Sequence, residues 1–103
     1  MVIKFNNSYL ENLAKDQSLK GKPKFDKHIV LKFKKTLKIL QRMPDTLSLR
    51  KLNSLNFEAL KGKLKGLYSV RIDYNYRLIF SIEKDVIRVS EVIVIEDLSN
   101  HYQ

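Results

Sequence analysis

The hydrophobic period of this chain changes once along its length, and that change confines it to a fold that mixes helix with sheet. Phe25, Ile29, Phe33, Leu37 and Leu40 recur at steps of three and four, which puts them on one stripe of a helix facing a core. Lys27, Lys34, Lys35, Lys38 and Arg42 fall on its other side. Met43-Pro44-Asp45 stops the helix, because proline has no N–H to continue the ladder. From residue 67 the period becomes two: Leu67, Ser69, Arg71 and Asp73 alternate with Tyr68, Val70, Ile72 and Tyr74, as in a half-buried strand.

The remaining segments fit around these two. Residues 2–5 read as a short first strand, and Asn6-Asn7-Ser8 offers N-cap oxygens to a helix carrying Tyr9, Leu10, Leu13 and Ala14. Gly21-Lys22-Pro23 closes that helix before the long one begins. Residues 46–60 read as a loop with some helical turns, bringing Leu47, Leu49, Leu52, Leu55 and Phe57 toward the body. After a hairpin turn at Asp73-Tyr74-Asn75, residues 76–82 are expected to form a strand and Glu83-Lys84-Asp85 to turn again. Residues 86–96 are rich in β-branched side chains and are expected to form a well-buried strand. The expectation is an α+β domain spanning 1–103, with an N-terminal strand and two helices packed on one face of an antiparallel C-terminal meander.

Charge narrows the function. Lys and Arg number 20 against 11 Asp and Glu, a net +9 that points to a polyanionic partner, nucleic acid first. The surplus is lopsided: 18 of the 20 basic residues precede Glu83. With no cysteine there is no disulfide framework or thiolate metal site, and two histidines do not make a three-ligand zinc centre. No apolar run suits a membrane span or a secretory signal, so a cytoplasmic protein without cofactor or metal is expected.

Three stretches carry a resemblance: Phe57-Glu58-Ala59-Leu60-Lys61-Gly62, Lys65-Gly66-Leu67-Tyr68-Ser69-Val70-Arg71-Ile72 and Asn75-Tyr76-Arg77-Leu78-Ile79-Phe80. In that order, and with a closing His/Tyr pair, the chain resembles the RelE/ParE toxin superfamily, most of all its HigB and YoeB branches. The resemblance spans about the whole chain. It implies a RelE-like fold and a ribosome-dependent messenger RNA endoribonuclease, the toxin of a type II toxin–antitoxin system. It also implies a HigA-like antitoxin with a helix-turn-helix, operator DNA being met only through that antitoxin. The implied reaction is metal-independent: the ribose 2′-OH attacks the adjacent phosphate and leaves a 2′,3′-cyclic phosphate and a 5′-OH.

Such chemistry needs a group for the 2′-OH proton, cations for the charge on phosphorus and a donor for the leaving 5′-oxygen. The resemblance assigns the first role to Glu58, where HigB relatives can carry histidine and YoeB-like ones glutamate. Lys61 and Arg77 are the implied cations, Arg77 for its planar fork, and its structural alternative is pairing with Asp73 or Glu83. His101 is the implied acid, with Tyr102 orienting the substrate. Asn100 stands where some HigB relatives have aspartate. Lys63, Lys65 and Arg71 are candidates for holding RNA, and Lys34, Lys35 and Lys38 for docking on ribosomal RNA. His28 reads as an exposed helix residue. Two other functions stay open on the same fold: a ParE-like inhibitor of DNA gyrase, and a silent RNA- or partner-binding module.

Overall fold

A computed structural model describes residues 1–17, 19 and 21–100. Its elements run β1 (Val2–Phe5), α1 (Ser8–Ala14), α2 (Lys27–Arg42), α3 (Thr46–Arg50), β2 (Glu58–Ala59), β3 (Tyr68–Arg71), β4 (Arg77–Asp85) and β5 (Ser90–Ser99), with short 3₁₀ turns at Asn53–Leu55 and Gly62–Leu64. The strands form one sheet in the order β1-β5-β4-β3-β2. Three pairings are antiparallel, and β1 runs parallel to β5. The α+β arrangement expected from the sequence, helices against one face of a sheet built largely from a C-terminal antiparallel meander, is the one found.

The core lies between α2 and one face of the sheet. Ile29, Phe33, Leu37 and Leu40 are buried as their spacing predicts, and they cluster with Val70, Leu78, Phe80, Ile93, Ile95 and Leu98. Phe25 precedes the helix, whose N-cap is Asp26, and packs edge-on against the rings of Tyr9 and Tyr76 instead. Asn7 caps α1 through its side chain, as the Asn6-Asn7-Ser8 pattern implies. At the other end of α2, the Met1 nitrogen donates to the carbonyls of Gln41 and Met43 at 2.8 and 2.6 Å, filling acceptors that a helix end leaves open. In α3, Asp45 caps the helix by accepting from the Ser48 N–H at 2.8 Å, and that bond holds its carboxyl below the usual aspartate value.

Two further expectations are corrected. The second hairpin turn is not at Glu83-Lys84-Asp85: β4 continues through Asp85 and residues 86–89 turn. Val86, Ile87 and Val89, read as strand core, are therefore 85%, 90% and 89% exposed. β-branched composition signals strand only where a neighbour covers it, and at this tip nothing among the described residues does. Leu47, expected to face the body, is 64% exposed, while Leu49 and Leu55 are buried. A one-turn helix such as α3 turns Leu47 and Leu49 to different sides.

The tip also holds strain. Val89 has φ +52, a left-handed conformation that costs an L residue roughly 1–2 kcal/mol and a β-branched one at the upper end. Val89→Gly is expected to stabilise the protein by about 0.5–1 kcal/mol in urea denaturation, the released strain outweighing the added chain entropy of glycine. Phe33→Ala, at a fully buried site, is expected to cost about 3–5 kcal/mol in the same measurement, whereas Leu31→Ala, 68% exposed on the same helix, moves stability by less than about 0.5 kcal/mol. The Asp45 cap adds a pH signature. Because its folded pKa is depressed, its contribution is present above the ordinary aspartate value and lost as pH falls through about 4 and below. The protection of the Ser48 amide against exchange, relative to its intrinsic rate at each pH, is expected to fall over that window by more than that of Leu40.

Candidate active site

Strand register assembles the site from residues far apart in sequence. Glu58 on β2 stands opposite Ser69 on β3, Arg71 opposite Arg77 on β4, and Arg77 opposite Ser99 on β5. Ser69 and Arg71 are two apart on one strand and share a face, so Glu58, Arg77 and Ser99 share it too. Val70, Leu78 and Leu98 register together on the other face, in the core. The polar candidates thus occupy the side of the sheet turned away from α2.

Arg77 is the centre of this face and is only 7% exposed. Taking a guanidinium out of water costs several kcal/mol unless its donors are met. Here Nε donates to Ser69 Oγ at 2.8 Å, and Nη2 donates to the Ser69 carbonyl at 3.4 Å and to the Asn56 carbonyl. Glu58 Oε2 lies 3.9 Å from Nη2, so among the described residues the acid beside Arg77 is Glu58 rather than Asp73 or Glu83. The Glu58 side chain is 41% exposed and also accepts from Asn56 Nδ2 at 3.5 Å. Asn56 reaches both because its backbone is left-handed, φ 45 and ψ 59, a conformation asparagine tolerates.

These groups line a cleft of about 400 Å³. Glu58, Arg71 and Arg77 meet there with Asn56, Asp73 and Asn100, and Tyr74 and Asn75 of the hairpin turn complete the lining. The turn is fixed by Asp73, whose Oδ1 accepts from the N–H groups of Asn75 and Tyr76 at 2.9 and 2.8 Å. Within the lining the charges balance, Arg71 and Arg77 against Glu58 and Asp73. The lining thus adds no net charge of its own, and long-range attraction for an anion rests on the chain's overall surplus of +9.

The other candidates sit as follows. Lys61, Lys63 and Lys65 are exposed on the connection from β2 to β3, outside the cleft lining. Gly62 and Gly66, at φ 65 and 96, turn that connection so that the Leu60 N–H meets the Leu67 carbonyl at 2.9 Å. Lys35 and Lys38 are exposed on α2, and Lys34 is half-buried against Asp16. His28 is exposed, 3.8 Å from Asp73 Oδ2. His101 and Tyr102 lie outside the described residues; Asn100, which precedes them, lines the cleft. Among the described residues no three His, Cys, Asp or Glu side chains gather as metal ligands. Ser69 carries no individual signal in the sequence beyond its place in the second motif, and Asn56 lies just outside the first, yet both hold Arg77.

The family follows from comparison with known proteins. Residues 3–92 match the HigB-like toxins, described as the RelE-like toxin of the type II toxin–antitoxin system HigB. The chain belongs to this family of type II toxins. Solved structures agree on the fold: a YoeB/ParE toxin from Agrobacterium tumefaciens superposes with a TM-score of 0.62 at 19% identity, over 99% of this chain and 100% of that one. The YoeB dimer from Staphylococcus aureus gives 0.56 at 25% identity, over 99% and 98%. The YoeB–YefM complex from the same organism gives 0.52 at 25%, over the same shares. No curated protein sequence matches the chain.

Ser69→Ala is expected to remove the acceptor of the Arg77 Nε while leaving the cation buried. The cost should be about 1–3 kcal/mol in urea denaturation, more than a surface serine-to-alanine change gives.

Proposed function

We propose that this toxin is an endoribonuclease that cuts messenger RNA in the ribosome, acting as a single RelE-like domain over 1–103. One observation carries the reading: Glu58 and Arg77, which the family resemblance makes base and cation, stand 3.9 Å apart in a cleft they share with Arg71. A carboxylate beside a fixed guanidinium suits phosphodiester transesterification, where a proton leaves one oxygen as charge builds on phosphorus.

In this proposal Glu58 takes or orients the 2′-OH proton as the 2′-oxygen forms its bond to phosphorus. Arg77, with Arg71 and Lys61, balances the charge of the pentacoordinate phosphorus. The P–O5′ bond breaks and His101 protonates the departing oxygen, with Tyr102 holding the substrate. The products are a 2′,3′-cyclic phosphate and a 5′-OH, and no metal takes part. Arg77 is rigidly held by Ser69 and Asn56, so its charge is in position before substrate arrives and needs no reorganisation during reaction. Lys63 and Lys65 hold the message, and Lys34, Lys35 and Lys38 on α2 meet ribosomal RNA. A cytoplasmic location fits a ribosomal target; among the described residues no helix is long and apolar enough to cross a membrane. The S. aureus YoeB–YefM complex supports an antitoxin partner here, one that is HigA-like and acidic enough to cover a chain of net charge +9, binding operator DNA on the toxin's behalf.

The test is expression of wild type and of Arg77→Ala, Arg77→Lys, Glu58→Gln and His101→Gln, with primer extension on a reporter transcript. Wild type should produce discrete cuts that depend on translation, and each variant should lose about 100-fold or more in rate, Arg77→Lys included because a lysine does not replace the planar fork. Intact transcripts together with lost control of DNA supercoiling would move the assignment to a gyrase inhibitor. Intact transcripts without that loss would leave a binding module.

A further inference from the structure

Tyr74 has no part in the chemistry above and yet stands in the cleft. It is 94% exposed, and it is the one large exposed apolar residue among those that line the site. Of the other exposed large apolar side chains, Leu47, Val86, Ile87 and Val89 lie around the second turn, Leu31 is on α2 and Val2 on β1, and none of them lines the cleft. The other described tyrosines are used in packing: Tyr9 and Tyr76 against Phe25, and Tyr68 stacked on Phe57. Among the described residues Tyr74 packs on no ring.

Its position has a geometric cause. The β3–β4 turn closes through Ile72 N–H to the Tyr76 carbonyl at 3.0 Å, and Asp73 pins the backbone of Asn75 and Tyr76. Tyr74 is thereby placed at the apex, midway along the chain between Arg71 and Arg77, which register opposite each other at its base. Two cations at the base of a turn whose apex carries an exposed aromatic ring match what one nucleotide of a single strand presents, a phosphate at one end and a flat π-face at the other. A ring left in water gains nothing by being there, and it gains a partner when a base covers it.

We infer that Tyr74 is the stacking platform for a base next to the phosphate held by Arg71 and Arg77, and so a residue that sets substrate affinity and base preference. The inference rests on the nuclease reading for the identity of the strand. Stacking on a tyrosine accepts any base but favours purines for their larger area, so the preference it gives is graded.

The test uses ribosomes programmed with a labelled message whose cut codon carries normal bases or, one position at a time, an abasic nucleotide. Two forms of message are made: native ribose, read by cleavage rate, and 2′-O-methyl at the cut, read by toxin binding. Tyr74→Ala should raise the Kd for the normal message about tenfold, and Tyr74→Phe should stay within about twofold of wild type. An abasic nucleotide at one position should cost wild type a similar factor and cost Tyr74→Ala nothing further. Thermal melting of both variants should match wild type, since the side chain is almost wholly in water. Equal affinities, or losses that simply multiply, overturn the inference. So does weaker antitoxin binding by Tyr74→Ala with an unmoved RNA Kd, which would reassign the ring to a protein contact. If wild type shows the stacking signature but leaves native message whole, the nuclease reading falls and the platform stands. If wild type and Tyr74→Ala bind and cut alike, the reverse holds.

Discussion

The site depends on a buried positive charge. Arg77 sits in a sheet with almost no access to water, a place a guanidinium tolerates only when partnered, and among the described residues Ser69, Asn56 and Glu58 answer its donors and its charge. Those three groups come from β3, from the turn before β2 and from β2 itself, so one side chain on β4 ties the outer part of the sheet together. Folding and the proposed function meet at this arginine. The contacts that make its burial possible also fix its orientation, and a fixed cation beside a carboxylate is the feature on which the proposed chemistry relies.

The two faces of the sheet divide the labour. On one, Val70, Leu78, Phe80, Ile93, Ile95 and Leu98 pack against the apolar stripe of α2. On the other, the same strands place Glu58, Ser69, Arg71, Arg77 and Ser99 in register. The alternation of a strand makes this division unavoidable: a residue slip in β3 against β4 would send arginines into the core and valine into the cleft. The hydrophobic face therefore specifies the position of every polar group on the other face.

Much of the fold is legible in the sequence because it rests on period. The stripe from Ile29 to Leu40, the stop at Met43-Pro44 and the alternation around Val70 are each local patterns, and the structure follows them. The turn at residues 86–89 is not legible, since Val86, Ile87 and Val89 have the composition of a strand and only the pairing of β4 with β5 reveals that they protrude. Phe25 is similar: its spacing continues the stripe, but Asp26 starts the helix one residue later. Within the site, Glu58, Arg71 and Arg77 are found from the family motifs. That Glu58 rather than Asp73 or Glu83 is the acid beside Arg77 depends on a non-local strand pair, as does the service of the Asn56 carbonyl, and no local pattern encodes either.

β2 consists of Glu58 and Ala59 alone, at the edge of the sheet. So short a ladder opens at a free energy well below that of the whole protein, since it carries few backbone bonds and little apolar area. Each such opening removes the carboxylate from the guanidinium while the α2 core stays intact. On the proposed chemistry, the fraction of molecules that are competent at any instant is thus governed by a two-residue fringe, and competence and foldedness are separate equilibria.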